Sequence, residues 1–349
     1  MRGELSMIKP ERLKKGDKVA IVSLSWGGLG DKELIHKYYI AKERLERDFG
    51  LEVVAMPNAL KGSDFVYAHP ELRAKDFMDA IKDNTIKAIF CAIGGSDSVR
   101  ILQYMDIEAI RNNPKIFMGY SDSTVSHFVM NKAGVVSYYG PSVMCEFGEY
   151  VKMIDYTENA VRNILFKNTD GYAVESSDEW SKDSVKWTEE NINVQRKMIP
   201  EEHHYEVLSG TGVVTGKLLG GCLDVFPMII GTEIWPKPDE WKGKILLLET
   251  SEDKPSPDYV LYYLRNLGAQ GILNNVNGII VGKPKEEAFY EEYKEVYLTV
   301  LKEFNCEDLP IIYNVNIGHG VPNGILPLGI KYEIDLEKKT IRLLESATE

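Results

Sequence analysis

Ala88-Ile-Phe-Cys-Ala-Ile-Gly-Gly-Ser-Asp97 is an unbroken apolar run that stops at two glycines. Lys115-Ile-Phe-Met-Gly-Tyr-Ser-Asp-Ser123 repeats the pattern and leads into a helical stretch. Apolar runs of this length, closed by glycine, read as strands buried on both faces, as in parallel sheets. Working outward, residues 19–23, 51–55 and 135–139 are further short strands. Residues 31–49, 71–81, 98–104 and 123–132 carry apolar side chains at helical spacing. Strands separated by helices of this length require parallel pairing with right-handed crossovers. Residues 7–165 are therefore expected to form an open, mostly parallel α/β sheet.

The whole chain has 349 residues, which predicts two domains. A hydrophobic fraction of 44% and a charged fraction of 27% describe an ordinary globular protein. Lys plus Arg number 41 against 53 Asp plus Glu, a net charge of −12. That balance excludes a nucleic-acid polymer or an anionic membrane surface as a general partner. Cys91, Cys145, Cys222 and Cys306 are widely spaced and form no CxxC pair, so free buried thiols in a reducing, cytoplasmic setting are expected. The apolar run 19–24 is too short for a signal-peptide core, and no stretch is long enough for a membrane span. Met1 and Met7 both stand as candidate starts, the first six residues being an extension in the second case.

Residues 166–209 are polar and aperiodic, carry Trp180 and Trp187, and read as a linker or excursion loop. Residues 210–349 read as a second, β-rich α/β domain, with strands at 213–221, 244–248, 278–281, 310–313, 331–335 and 340–344. Helices are expected at 257–267 and 286–304.

Ligands of open α/β sheets bind beyond the carboxyl ends of the strands. Gly119-Tyr-Ser-Asp-Ser123 lies there. A serine on a sharp strand-to-helix turn projects its hydroxyl into the cleft, with backbone N–H groups of the helix N-terminus beside it. Ser123 stands where the full hydrolase elbow has glycine, and a helix cap formed by Ser121, Asp122 or Ser123 explains the local motif better on its own. Gly94 and Gly95 let backbone amides approach a ligand and could supply an oxyanion donor, or could simply make a tight turn. The run has neither G-x-G-x-x-G nor a Walker lysine, so no nucleotide cofactor is expected. Among six histidines only His319, in Asn316-Ile-Gly-His-Gly-Val-Pro322, lies on a glycine-rich loop beyond a strand, where a base would be exposed. Glu249 closes a strand of apolar residues, a costly place for a carboxylate unless it is paired or sits at the strand mouth. There is no H-E-x-x-H, and neighbouring His203 and His204 would point apart on a strand, so no metal is expected.

Taken together, Ile93-Gly-Gly-Ser-Asp, Gly119-Tyr-Ser-Asp-Ser, Gly220-Gly-Cys-Leu, Leu247-Leu-Glu-Thr-Ser, and Gly318-His-Gly with Pro327-Leu-Gly329 resemble the LD-carboxypeptidase family of serine peptidases. The likeness is greatest to the branch of microcin C self-immunity peptidases and runs from about Ile8 to Leu344. The resemblance implies a flavodoxin-like N-terminal domain and a C-terminal domain of swivelling type, with a triad assembled between them. It implies Ser121 as nucleophile, His319 as base and Glu249 as its orienter, with the amides of Gly95 and Asp122 lining an oxyanion hole. Gly94, Ser96, Gly220 and Gly221 would contact substrate, and a tryptophan of the excursion, Trp180 or Trp187, would stack on an adenine base. Such stacking is worth roughly 1–3 kcal/mol, enough to select a nucleotide conjugate over a murein peptide ending in D-alanine. The expected activity is thus hydrolysis of the bond between an acidic aminoacyl group and a nucleotide, with murein tetrapeptide trimming as the alternative. A homodimer is implied as well. Cys222 departs from the polar residue usual at its position.

Overall fold

The computed structural model describes residues 6–349; Met1, one candidate start, lies outside the described residues. Among the described residues there are sixteen strands: β1 Lys18–Val22, β2 Glu52–Ala55, β3 Ile86–Cys91, β4 Ile116–Gly119, β5 Ser137–Tyr139, β6 Ala173–Val174, β7 Glu179–Trp180, β8 Ile199–Pro200, β9 Glu206–Ser209, β10 Val213–Cys222, β11 Ile245–Glu249, β12 Gly278–Gly282, β13 Ile311–Val315, β14 Leu326–Leu328, β15 Lys331–Asp335 and β16 Thr340–Leu343. The first sheet runs β14-β5-β4-β3-β1-β2 and the second β6-β16-β15-β10-β11-β12-β13-β9. As the buried runs predict, β1 to β5 pair in parallel. In the second sheet β10 to β13 are parallel and the flanking strands antiparallel.

Two features were not anticipated. Leu326–Leu328, far along the chain, pairs antiparallel with β5 and forms the edge of the first sheet. Pro327 cannot donate a ladder hydrogen bond and fits only such an edge. The polar segment 166–209 is also more than a linker. Its strands β6 and β9 close the two edges of the second sheet, and β7 and β8 form a hairpin of their own. Two- to four-residue strands are too short to leave a periodic signal.

The two sheets share their cores. Val19 and Ile21 of β1 pack in one apolar cluster with Leu247 of β11, while Ala20 and Val22 join another with Leu246 and Leu248. Successive strand side chains point to opposite faces, so each β-run feeds both cores. Of the cysteines, Cys91 and Cys222 are buried, whereas Cys145 and Cys306 are only half-buried; all four are unpaired. Among the described residues no helix is long and apolar enough to cross a membrane.

β10 changes partners along its length. Val213–Lys217 pair with β15 and Leu218–Cys222 with β11. Gly220 (φ 149°) and Gly221 (φ 152°) lie in this second half. A Cβ on Gly220 would overlap the Leu247 carbonyl, and one on Gly221 would press into Thr124 of the first sheet's helix Thr124–Ala133. The Cys222 N–H donates to Thr124 Oγ1 at 3.0 Å across that contact. Gly220→Ala is expected to destabilise the protein by about 2–4 kcal/mol through backbone strain and overlap, read as a lowered urea midpoint.

Candidate active site

Strand β4 ends at Gly119, and the chain turns sharply into a helical stretch beginning at Ser121. Ser121 holds φ at 62°, a left-handed conformation that serine adopts only where its surroundings impose it. Gly94 abuts it so closely that a Cβ there would lie 2.8 Å from Ser121 Oγ. The Ser121 N–H donates to Tyr139 Oη at 3.1 Å. His127, fully buried, bonds the Gly119 carbonyl through Nε2 and Ser137 Oγ through Nδ1, both at 2.8 Å. Burial pushes its pKa down to about 4, so it pins the turn as a neutral imidazole.

Asp122 ties the turn to the glycine loop. Its Oδ2 accepts from Ser25 Oγ at 2.6 Å and from the Ser98 N–H at 2.8 Å, and its carbonyl accepts from Ser98 Oγ at 2.8 Å. Gly95, at φ 143°, packs against Ser25 and Trp26, and the Trp26 N–H donates to the Gly94 carbonyl at 3.1 Å. Ser25 and Ser98 thereby tie the Asp122 turn to the loop that carries Gly94 and Gly95. Ser96 is exposed on the same turn.

The carboxylate and imidazole come from the second sheet. Glu249 ends β11 opposite Cys222, and His319 follows β13. Glu249 is 1% exposed. Its Oε2 lies 2.7 Å from His319 Nδ1 and accepts from the His319 N–H at 3.2 Å. Its Oε1 accepts from Tyr139 Oη at 2.5 Å. Burial and the neighbouring Glu249 raise the Tyr139 pKa well above its usual value, so this phenol remains a donor. A Cβ on Gly318 would overlap the Glu249 carboxylate, which explains glycine before the histidine. Tyr139 thus accepts from the Ser121 turn and donates to Glu249, linking the two sheets. The Tyr120 ring packs edge-on against His319 with centroids 5.0 Å apart.

The second imidazole nitrogen, Nε2, is 2.8 Å from Glu252 Oε2. Among the described residues, no hydrogen bond joins His319 to Ser121 Oγ. Burial alone would lower the His319 pKa, but the two carboxylates outweigh it and raise it to about 10. Cys222, Glu249 and His319 offer ligand atoms within 4.8 Å of one another, a grouping the sequence motifs did not indicate. The thiol pKa is raised well above its usual value by burial and by Glu249, and both imidazole nitrogens are engaged, so a metal ion would have to displace the thiol proton and break the imidazole's hydrogen bonds.

A pocket of about 70 Å³ opens beside His319, lined also by Tyr120, Trp187, Arg196, Lys285 and Asn323. Asn323 Nδ2 is buried without a partner among the described residues. A cavity of about 840 Å³ shares Glu149, Ile154 and Arg196 with this pocket. The two tryptophans therefore separate. Trp187 reaches the pocket, with Lys37 Nζ 4.9 Å from its ring centroid. Trp180 is buried over Lys283 Nζ at 4.3 Å. Gly220 and Gly221 also lie away from both cavities, buried in the contact between the sheets. Sequence reasoning missed Tyr139 and Glu252, because each acts through a partner distant in the chain; it read His127 as a surface or packing residue, and the structure places it in the packing role.

Comparison with known proteins agrees with this architecture. Residues 19–140 match the LD-carboxypeptidase N-terminal domain and residues 215–334 the LD-carboxypeptidase C-terminal domain. The chain belongs to the LD-carboxypeptidase family, serine peptidases of carboxypeptidase type. It is 30% identical to the microcin C7 self-immunity protein MccF of Escherichia coli, over 78% of each chain. It is 26% identical to a Bacillus subtilis protein named "Probable murein peptide carboxypeptidase", over 97% of this chain and 96% of that one. The MccF-like protein of Streptococcus pneumoniae in complex with AMP superposes with a TM-score of 0.86 at 32% identity, covering 94% of this chain and 98% of that one. MccF in complex with aspartyl sulfamoyl adenosine gives 0.86 at 27% identity, covering 98% and 100%.

Tyr139→Phe removes one hydroxyl and leaves two buried partners unsatisfied, at roughly 1–3 kcal/mol. Steady-state kinetics of this variant should show a fall in kcat/KM of about 5- to 150-fold, with the fold retained by circular dichroism.

Proposed function

We propose that the chain hydrolyses the amide-type bond between an acidic aminoacyl group and a nucleotide, with Ser121 as nucleophile, His319 as general base and Glu249 orienting the imidazole. Ser121 Oγ attacks the carbonyl carbon while His319 Nε2 takes its proton. The amides of Asp122 and Gly95 stabilise the oxyanion, the protonated imidazole returns its proton to the leaving nitrogen, and water then hydrolyses the acyl-enzyme. Support for these roles lies in the Glu249–His319 hydrogen bond and in the strained turn at Ser121.

One observation carries the choice of substrate. Trp187, from the polar excursion, lines the pocket that contains His319. An aromatic face there suits a base, and Arg196, Lys285 and the free amide donor of Asn323 suit an anion. The relatives solved with AMP and with aspartyl sulfamoyl adenosine are consistent with this reading. The rival substrate, a murein tetrapeptide, is favoured by the similarity to the Bacillus protein over nearly the whole chain. The four unpaired thiols support a cytoplasmic site of action, and a homodimer is proposed from the family resemblance.

Incubation with aspartyl sulfamoyl adenosine and with a murein tetrapeptide, followed by mass spectrometry, decides between the substrates. Cleavage of the nucleotide conjugate is expected to dominate. Preferential release of D-alanine would replace this reading with the murein one. Trp187→Ala should raise KM for the conjugate by about 5- to 150-fold, the equivalent of a lost stacking contact, whereas Trp180→Ala should act on stability alone. Ser121→Ala should lower turnover on the order of a millionfold; activity within about tenfold of the parent would remove Ser121 from its role.

A further inference from the structure

The nitrogen that must receive the serine proton is occupied. His319 Nε2 lies 2.8 Å from Glu252 Oε2, and Glu252 is 57% exposed at its side chain while His319 is 6% exposed. Glu252 sits three residues beyond Glu249, on the turn between β11 and the helix Pro257–Ala269. The groups facing this imidazole are Glu249 and Glu252 from that segment, the Cys222 thiol at the end of β10, and the Tyr120 ring from the serine turn; Lys285 interacts with Glu252 from outside. Two anions on one imidazole hold it as an imidazolium, which cannot act as a base. Glu249 is buried and fixed at both oxygens by Tyr139 and His319. Glu252 is the exposed partner, so it is the one able to leave.

Removing a carboxylate from a cation has an electrostatic cost, which a cation arriving in exchange offsets. Resting on the roles proposed above for Ser121, Glu249 and His319, we propose that Glu252 is a specificity residue that receives an ammonium group on the acyl side of the scissile bond, and that this exchange frees His319 as the base. An aminoacyl nucleotide conjugate carries such an ammonium on its α-carbon. A murein tetrapeptide carries one on the side chain of its diamino acid. The exchange balances simply: the substrate ammonium keeps its protons and pairs with Glu252, while His319 loses its Nε2 proton to solvent. The neutral imidazole then faces Ser121. Substrates lacking the ammonium leave the latch closed. By linkage, the ammonium lowers the proton affinity of His319 as much as the protonated imidazole weakens ammonium binding.

The test compares the parent protein, Glu252→Gln and Glu252→Asp on aspartyl sulfamoyl adenosine, on a murein tetrapeptide, and on analogues of each with hydrogen in place of the amino group. Whichever true substrate is cleaved identifies the source of the ammonium. The His319 pKa lies well above the ordinary imidazole value because of Glu249 and Glu252. In the parent, kcat/KM should therefore rise with pH along a basic limb. In Glu252→Gln that limb should move to lower pH by about one unit or more, and preference for the amino-bearing substrate should fall by about tenfold or more. Glu252→Asp should retain most of the preference. Calorimetry on Ser121→Ala protein in buffers of different ionisation enthalpy should show about one proton released on binding the amino-bearing conjugate, and none when Glu252→Gln is added. An unmoved limb with unchanged preference in Glu252→Gln would overturn the role of Glu252 alone. Full activity in Ser121→Ala would overturn the underlying catalytic assignment, and this proposal with it.

Discussion

A buried carboxylate bonded at both oxygens organises this molecule. Glu249 sits at 1% exposure, a position tolerable for a charge only when its hydrogen-bonding capacity is met. Tyr139 from the first sheet meets it on one side and His319 from the second on the other. Because Tyr139 also holds the Ser121 N–H, one anion connects the two turns that carry a candidate nucleophile and a candidate base. The shared apolar cores and the glycine pair at 220–221 serve the same end, keeping the sheets close enough for these short bonds to form.

Much of this was legible in the sequence because it is local. Residues 88–93 and 244–248 announce buried strands, and the breaks after them place Gly94, Gly95 and Glu249 at strand mouths. His319 stands out through its flanking glycines. What the sequence concealed depends on long-range pairing. Pro327 reads against a strand until β5 supplies an edge for it. The strands of the 166–209 segment are too short to show a period, although their partners β16 and β13 complete the second sheet. Tyr139 and Glu252 look ordinary by themselves, since Tyr139 gains its role from a residue well separated in the chain and Glu252 from an imidazole delivered by another strand.

The structure also distinguishes the surroundings of the two tryptophans. Two tryptophans in one polar segment are equivalent by composition, yet their surroundings are opposite. Trp180 covers the buried Lys283–Glu201 ion pair, whose side chains are 0% and 1% exposed, and so seals the excursion against β12 and β13. Trp187 remains half-buried beside the pocket. One aromatic anchors the segment, and the other lies half-buried at the pocket.

The exchange of β14 into the first sheet has a consequence for how the chain matures. Strands β1 to β5 emerge from the ribosome early, but the edge beside β5 stays uncovered until nearly two hundred further residues have been made. Through that interval the nascent sheet exposes a row of unpaired amides and carbonyls, a surface open to mispairing with other chains. In the complete fold Leu326–Leu328 shield this edge, and the His319 loop lies just before that strand in the chain. The edge strand and the candidate base thus belong to one late stretch of the chain, and a half-made chain lacks both.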